Sequence, residues 1–256
     1  MCKLSICIPT TELNSAEGQE GPYLLGFLLK TIESQTFKDF EIIIADHSKS
    51  DIIEKECKKW EHLNIRYYKN IINIGSAAAN LNFAISKAKG EYIKTILQDD
   101  FFYGNESLEY LMSNIKDSNW VITGTQHCNG NNTDELIYHH IPRWIDPDRM
   151  LRGVNTLSGP SVLTFKNDGN YFDIDLIWLN DVEFYYRLYL KYGIPLLLTE
   201  TSIVQRFRNS SISNVLSDEI KIEECKYIRC KHSRITGSKN VIDYPHMTKR
   251  INKLRS

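Results

Sequence analysis

Over the first hundred residues the apolar positions switch repeatedly between short runs and helical spacing, and Pro, Gly and Asp punctuate the switches. The mainly apolar run at 4–8 predicts a buried strand stopped at Pro9. After a polar, Gly-containing loop at 14–21, Leu24, Leu25, Leu28, Leu29 and Ile32 fall on one helical face. A second buried strand at 40–45 ends at Asp46, and a helix over about 51–60 follows, with Asp51 a favourable acid at its N-terminus. A third strand spans 65–68. The small-residue run at 75–85 predicts a helix closed by Gly90, and a fourth strand through Ile93, Ile96 and Leu97 ends abruptly in Asp99-Asp100. Strand alternating with helix is the pattern of a parallel sheet.

The remainder is less regular. A helix is expected at 108–115, strands at 120–123 and 161–165, and loops across the polar, Pro-punctuated stretch 125–152. Trp178-Leu179-Asn180-Asp181 leads into a helix running through Leu190 and ended by Gly193, with further strands at 195–198 and 202–205. Apolar positions near 220–228 have amphipathic character. From residue 226 onward nine Lys or Arg face one acid, Asp243, which marks a basic C-terminal extension.

Composition narrows the function classes. The 256 residues are 42% hydrophobic and 25% charged, ample for a globular core. A formal net charge of −1 argues against a dedicated nucleic-acid binder. No run is long and apolar enough for a membrane span or a signal peptide. Six cysteines form no C-x-x-C pair, so a zinc site or disulfide framework is not expected and a reducing cytosol fits better.

The candidate chemistry is acidic. In an open α/β sheet ligands bind beyond the carboxyl ends of the strands, where Asp46, Asp99 and Asp100 fall. Adjacent acids suit a hard divalent cation that bridges phosphates, and they equally suit a solvated turn. Asp181, at the start of its predicted helix, suits an N-cap.

Taken together, Ile8-Pro9-Thr10, the segment from Ser34 to Asp46, Asn73-Ile74-Gly75 through Asn80, Gly90-Glu91-Tyr92-Ile93 and Leu97-Gln98-Asp99-Asp100 resemble family 2 glycosyltransferases. Gly159-Pro160-Ser161, Asn180-Asp181 and the segment from Arg206 to Ser213 follow in the same order. The resemblance implies a GT-A fold over residues 1–213, with a nucleotide-binding half at 1–100, an acceptor and catalytic half at 101–213, and the basic extension at 214–256. It implies inverting transfer of one sugar from a nucleotide-diphosphate sugar to a glycan hydroxyl, helped by Mn²⁺ or Mg²⁺. By position Asp181 is the catalytic base, a role compatible with an N-cap, with Glu183 a weaker rival, and Asp99 with Asp100 are the metal acids. Pro9, Thr10, Asp46, Asn73, Asn80, Gln98, Asp99 and Arg208 match the nucleotide side. Gly159, Pro160, Ser161 and Trp178 fall on the acceptor side. The sequence departs from the family at Leu97, where the first acid of an Asp-x-Asp motif would stand, and at Arg208, where a His is usual. The basic extension suits a lipid-linked acceptor and peripheral contact with the inner face of a membrane. Two rivals are a non-catalytic binding module on the same scaffold and a sugar nucleotidyltransferase. The latter is disfavoured by Glu12, Glu17 and Glu20, which stand where a triphosphate loop would need basic residues.

Overall fold

A computed structural model describes residues 2–15, 18–208 and 211–233. In chain order the first half runs β1 (Leu4–Thr10), the short β2 (Asn14–Ser15) and β3 (Gly18–Gln19), α1 (Gly21–Glu33), β4 (Phe40–Asp46), α2 (Ile52–Lys58), β5 (Ile65–Lys69), α3 (Ala77–Lys87) and β6 (Tyr92–Thr95). The second half holds β7 (Phe101–Phe102), α4 (Ser107–Ile115), β8 (Trp120–Asn129), β9 (Asn132–His140), α5 (Pro147–Met150), a 3-10 turn (Pro160–Val162) and β10 (Leu163–Lys166). It continues with α6 (Asn180–Tyr192), β11 (Leu196–Phe207), α7 (Ile212–Val215) and α8 (Asp218–Ser233).

Among the described residues nine strands form one sheet. Its first side, in the order β5-β4-β1-β6, is parallel throughout. Every residue of β1 and β4 is buried, as parallel strands covered on both faces require. The predicted stripe of α1 is buried in full. The strand β10 runs antiparallel to both β6 and β8 and so joins the two halves. One edge of β8 is shared: residues 120–122 pair with β10 and residues 125–129 with β9. Along its other edge β8 pairs in parallel with β11, whose register shifts around Thr201.

Several expectations need correction. Pro9 does not stop β1, which runs to Thr10. Pairing with β6 ends at Cys7↔Thr95, and the bonds at Cys7 and Thr10 set the alternation so that Pro9 faces the vacated side, where its missing N–H costs no ladder bond. Gly90 does not close α3, which ends at Lys87 with Ala88 as its C-cap. A Cβ at Gly90 would lie 2.6 Å from the Ser5 backbone nitrogen, so its role is close approach of the chain to β1. The polar loop at 14–21 contains the β2–β3 hairpin. The stretch 125–152 is loop only in part: β8 continues to Asn129 and turns into β9, an edge strand whose mostly exposed side chains hide the strand signal, and irregular chain at 141–146 then leads into α5. The separate strands at 195–198 and 202–205 are one bulged strand, and the segment beginning at Ser161 opens as a 3-10 turn before β10. The basic extension lies mostly outside the described residues: Lys226, Arg229 and Lys231 are on α8, and the other six basic residues are beyond it. Among the described residues no helix is long and apolar enough to cross a membrane.

Candidate active site

The tips of β1, β4 and β6 are tied together by side chains. Thr10 pairs with Asp46 in register, and its hydroxyl donates to Ala45 O at 3.1 Å. Asn80, near the start of α3, donates to both Thr10 O and Ala45 O at 3.1 and 2.9 Å. Gln98 bonds Thr11 twice, accepting from its N–H at 2.6 Å and donating to its carbonyl at 3.0 Å, so the amide extends the β1–β6 ladder past the last backbone pair. Asp46 is fully buried and accepts from Ser48 N, the Tyr67 hydroxyl and Lys69 Nζ at 2.7, 2.8 and 3.0 Å. Asn73, in a left-handed conformation (φ +53°), lines a groove of about 330 Å³ with Asn70, Ile72 and Tyr171; Asp46, Asp99 and Asp181 do not line it.

Beyond β6 the chain places Asp99 half-buried and Asp100 buried. Burial drives both carboxyls above the usual acid range, and the Asp99 charge adds to the effect on Asp100. Hydrogen bonds from Ser161, the Arg206 backbone and Gln205 oppose the rise at Asp100, as the Arg206 charge does at Asp99. Beside them Lys94 is fully buried, with Nζ donating to Ser161 O; burial pulls its pKa down to about 7 while the Asp100 charge resists. Oδ2 of Asp100 is buried with no protein hydrogen-bond partner. An orphaned carboxylate oxygen beside a second acid is a donor set that fits a hard divalent cation. Among the described residues no group of three or more His, Cys, Asp or Glu is arranged to hold a metal, so substrate phosphates and water would have to complete the shell.

Asp181 lies at the start of α6, buried, with Oδ1 accepting from Val182 N at 2.7 Å and Oδ2 from Asn155 Nδ2 at 2.9 Å. It is not the N-cap; Leu179 holds that position. Burial, with the Glu224 charge adding to it, raises its pKa to about 7 against those hydrogen bonds. Glu183, fully buried two residues on, is the opposite case. Burial pushes it up, but His232, Arg187 and Lys231 outweigh that and hold it at about 2. Arg187 Nε contacts both its oxygens at 2.9 Å, Lys231 Nζ lies at 2.7 Å and His232 Nε2 at 3.1 Å. A carboxylate so neutralised is unsuited to accept a proton near neutral pH, which removes Glu183 as a rival base.

A line of side chains joins the acid pair to Asp181. Gln205 contacts Asp100 and accepts from the Ser158 hydroxyl at 2.7 Å, while Asn155 Nδ2 reaches both Ser158 O and Asp181 at 2.9 Å. Ser158 takes φ +76°, a strained value for a residue with a Cβ, and the Tyr185 hydroxyl also bonds its carbonyl at 3.2 Å. Asn155, Ser158 and Gln205 were not singled out from the sequence: the first two stand on irregular chain and the third on a strand, and a contact between such distant positions leaves no local signal. Gly159 and Pro160 sit on this line, Thr95 Oγ1 donating to Pro160 O at 2.6 Å. Ser161 is fully buried and its hydroxyl accepts from Leu97 N at 3.0 Å. Trp178 is part-buried just before α6, with Lys221 Nζ 5.8 Å above its ring. Arg208 forms an ion pair with Glu20, bridging the end of β11 and the start of α1.

The sequence profile of glycosyl transferase family 2 matches residues 5–179. The chain belongs to glycosyl transferase family 2. A poly(ribitol-phosphate) beta-glucosyltransferase of Bacillus spizizenii is 36% identical over 112 residues, 41% of this chain and 16% of that protein. A GalNAc(5)-diNAcBac-PP-undecaprenol beta-1,3-glucosyltransferase of Campylobacter jejuni is 29% identical over 133 residues, 51% of this chain and 38% of that one. An uncharacterized glycosyltransferase of Rickettsia conorii is 32% identical over 102 residues, and the match again takes up 16% of its length. The chain thus spans well under half the length of these relatives. Among solved structures, residues 1–349 of S. aureus TarS in complex with UDP-GlcNAc are similar with TM-score 0.68 at 18% identity, over 97% of this chain and 70% of that one. The mannosyltransferase PcManGT of Pyrobaculum calidifontis, in complex with GDP-Man and Mn²⁺, gives TM-score 0.57 at 13% identity, over 99% of this chain and 69% of PcManGT. The family member described here therefore has the expected GT-A-like α/β fold, a mixed sheet flanked by helices.

Proposed function

We propose that this family 2 protein transfers one sugar from a nucleoside-diphosphate sugar to a hydroxyl of a glycan acceptor, with inversion at the anomeric carbon. The observation that supports this best is the hydrogen-bonded line from Asp100 through Gln205, Ser158 and Asn155 to Asp181. It ties an acid pair suited to a cation to a carboxyl whose pKa of about 7 suits a general base. As the acceptor oxygen bonds to the anomeric carbon, the bond from that carbon to the diphosphate breaks, and the acceptor proton passes to Asp181. A carboxylate offers about four lone-pair sites, so the bonds from Val182 and Asn155 leave room for that proton and aim the group. Asp99 and Asp100 would hold a divalent cation; when bound, such an ion offsets negative charge on the departing diphosphate.

The nucleoside lies over the tips of β1 and β4 in this reading, with Pro9, Thr10, Asn73, Asn80 and Gln98 around it. Asp46 acts there by fixing Tyr67 and Lys69. Arg208 exchanges Glu20 for the diphosphate, a bidentate contact that guanidinium chemistry favours. The acceptor enters from the side of Gly159, Pro160, Ser161 and Trp178. The Campylobacter relative is named for an undecaprenol-linked glycan, and a lipid-linked glycan is the acceptor class proposed here too. Contact of the basic extension with the anionic inner face of a membrane fits such an acceptor.

Release of nucleoside diphosphate from a panel of UDP-, GDP-, CDP- and dTDP-sugars, with Mn²⁺ or Mg²⁺, tests the proposal. Turnover of at least one donor, abolished by chelation, is expected. No turnover, together with no nucleotide raising the unfolding temperature, defeats it.

A further inference from the structure

Helix α8 lies beyond the family-matched region, yet two of its three buried side chains, Glu224 and His232, bond the segment around Asp181. Glu224, fully buried, receives the backbone N–H groups of Ile177, Trp178 and Leu179 at 2.6, 3.0 and 2.8 Å. Three successive amides aimed at one carboxylate form an anion-binding concavity of the kind that otherwise takes a phosphate or a ligand carboxylate. Here the occupant comes from the same chain, and it sits at the N-terminal end of α6, where the helix dipole favours negative charge. Four residues further along α8 is Ile228, and four beyond that His232, which bonds Glu183 at 3.1 Å. Lys231 joins Asp173 and Glu183 at 2.6 and 2.7 Å, and the Tyr227 hydroxyl reaches Asp173 at 3.0 Å. The first turn of α6 is therefore held from behind at Glu183 and from before its start at residues 177–179.

We propose that Glu224 is a positioning residue for the catalytic base: by holding the three amides it fixes the backbone from which Asp181 projects. This rests on the reading of Asp181 as base given above. Leu179 is both a Glu224 partner and the N-cap of α6, so freeing the 177–179 amides loosens the turn that aims Asp181. Displacement of about 1 Å at a reacting group can cost about 10²-fold in rate. The groups facing the Asp181 carboxyl are the amide of Asn155, the Val182 N–H, the Tyr185 ring and the charge of Glu224. Glu224 thus shapes both where the base points and how readily it holds a proton.

The test compares wild type, Glu224→Gln and Glu224→Ala in the full chain, using whichever nucleotide sugar the wild type turns over. Glu224→Gln keeps an acceptor oxygen but loses the charge, so a several-fold fall in kcat is expected. The acid limb of its pH profile should move to lower pH, because a charge that raises the Asp181 pKa is gone. Glu224→Ala is expected to lose about 10²-fold in kcat with KM for the donor within about twofold. Retained stabilisation by the nucleoside diphosphate shows that the variants are folded. Unchanged kcat and an unshifted acid limb in Glu224→Gln, with Glu224→Ala also active, overturn the inference alone. Parallel loss of kcat and nucleotide binding overturns it in favour of a purely structural role. A wild type inactive on every donor defeats the functional reading and this inference with it.

Discussion

Asp181 and Glu183 share the first turn of one helix and are both buried, yet the fold treats them in opposite ways. Asp181 meets neutral donors and the like charge of Glu224, and with burial its pKa climbs to about 7. Glu183 meets a guanidinium, an ammonium and an imidazole, and its pKa falls to about 2. Burial alone therefore says nothing about reactivity; the identity of the neighbours decides it. The side of α6 facing Asn155 keeps a proton in play, and the side facing α8 is an ion cluster that anchors the helix.

The comparison breaks first at Asp181→Asn. Loss of a general base is expected to lower kcat by about 10³-fold, with nucleotide-induced stabilisation retained; near-normal kcat would end the base assignment. Glu183→Gln should do the reverse. Breaking a buried ion cluster is expected to cost about 3 kcal/mol of stability in chemical denaturation, with kcat of the folded fraction affected less than in Asp181→Asn. An unchanged denaturation midpoint would show that the cluster contributes little. The two acids also differ in pH response. The folded pKa of Glu183 is depressed, so its contribution is present above about pH 4.3 and fades as pH falls through about 2. The stability gap between wild type and Glu183→Gln should therefore narrow on acidification. For Asp181 the folded pKa is raised, so its protonated form favours the fold and that contribution is lost as pH rises through about 7. The same titration should make kcat rise through about pH 7 and then level. The smallest effect is expected at Tyr67→Phe, which removes one hydrogen bond to Asp46 for about 1 kcal/mol, read as a lower unfolding midpoint.

The parallel half was legible because burial on both faces writes β1 and β4 as near-continuous apolar runs and α1 as a periodic stripe. The acids at the strand tips were legible for the same reason, since a strand end is marked in the sequence. The edge strand β9 was not, because it places little on the core and carries no apolar alternation. The bulge in β11 around Thr201 likewise read as a break between two strands. The residues that join Asp100 to Asp181 were hidden too. Asn155 and Gln205 lie 50 positions apart, and only the fold sets them on one line. Glu224 looked like one more charge on a surface helix until its three amide partners were visible.

The sharing of one β8 edge between β10 and β9 has a consequence for how such a protein can diversify. The β10 portion is locked into the interior, whereas Leu136, Ile137 and Tyr138 of β9 stay exposed, with Tyr138 resting its ring on that of His127 at 5.3 Å. Outward side chains on that ribbon can be exchanged at little cost to the foundation below. Sequence can then drift in one hairpin while the strand tips that carry Asp46, Asp99 and Asp100 stay as they were.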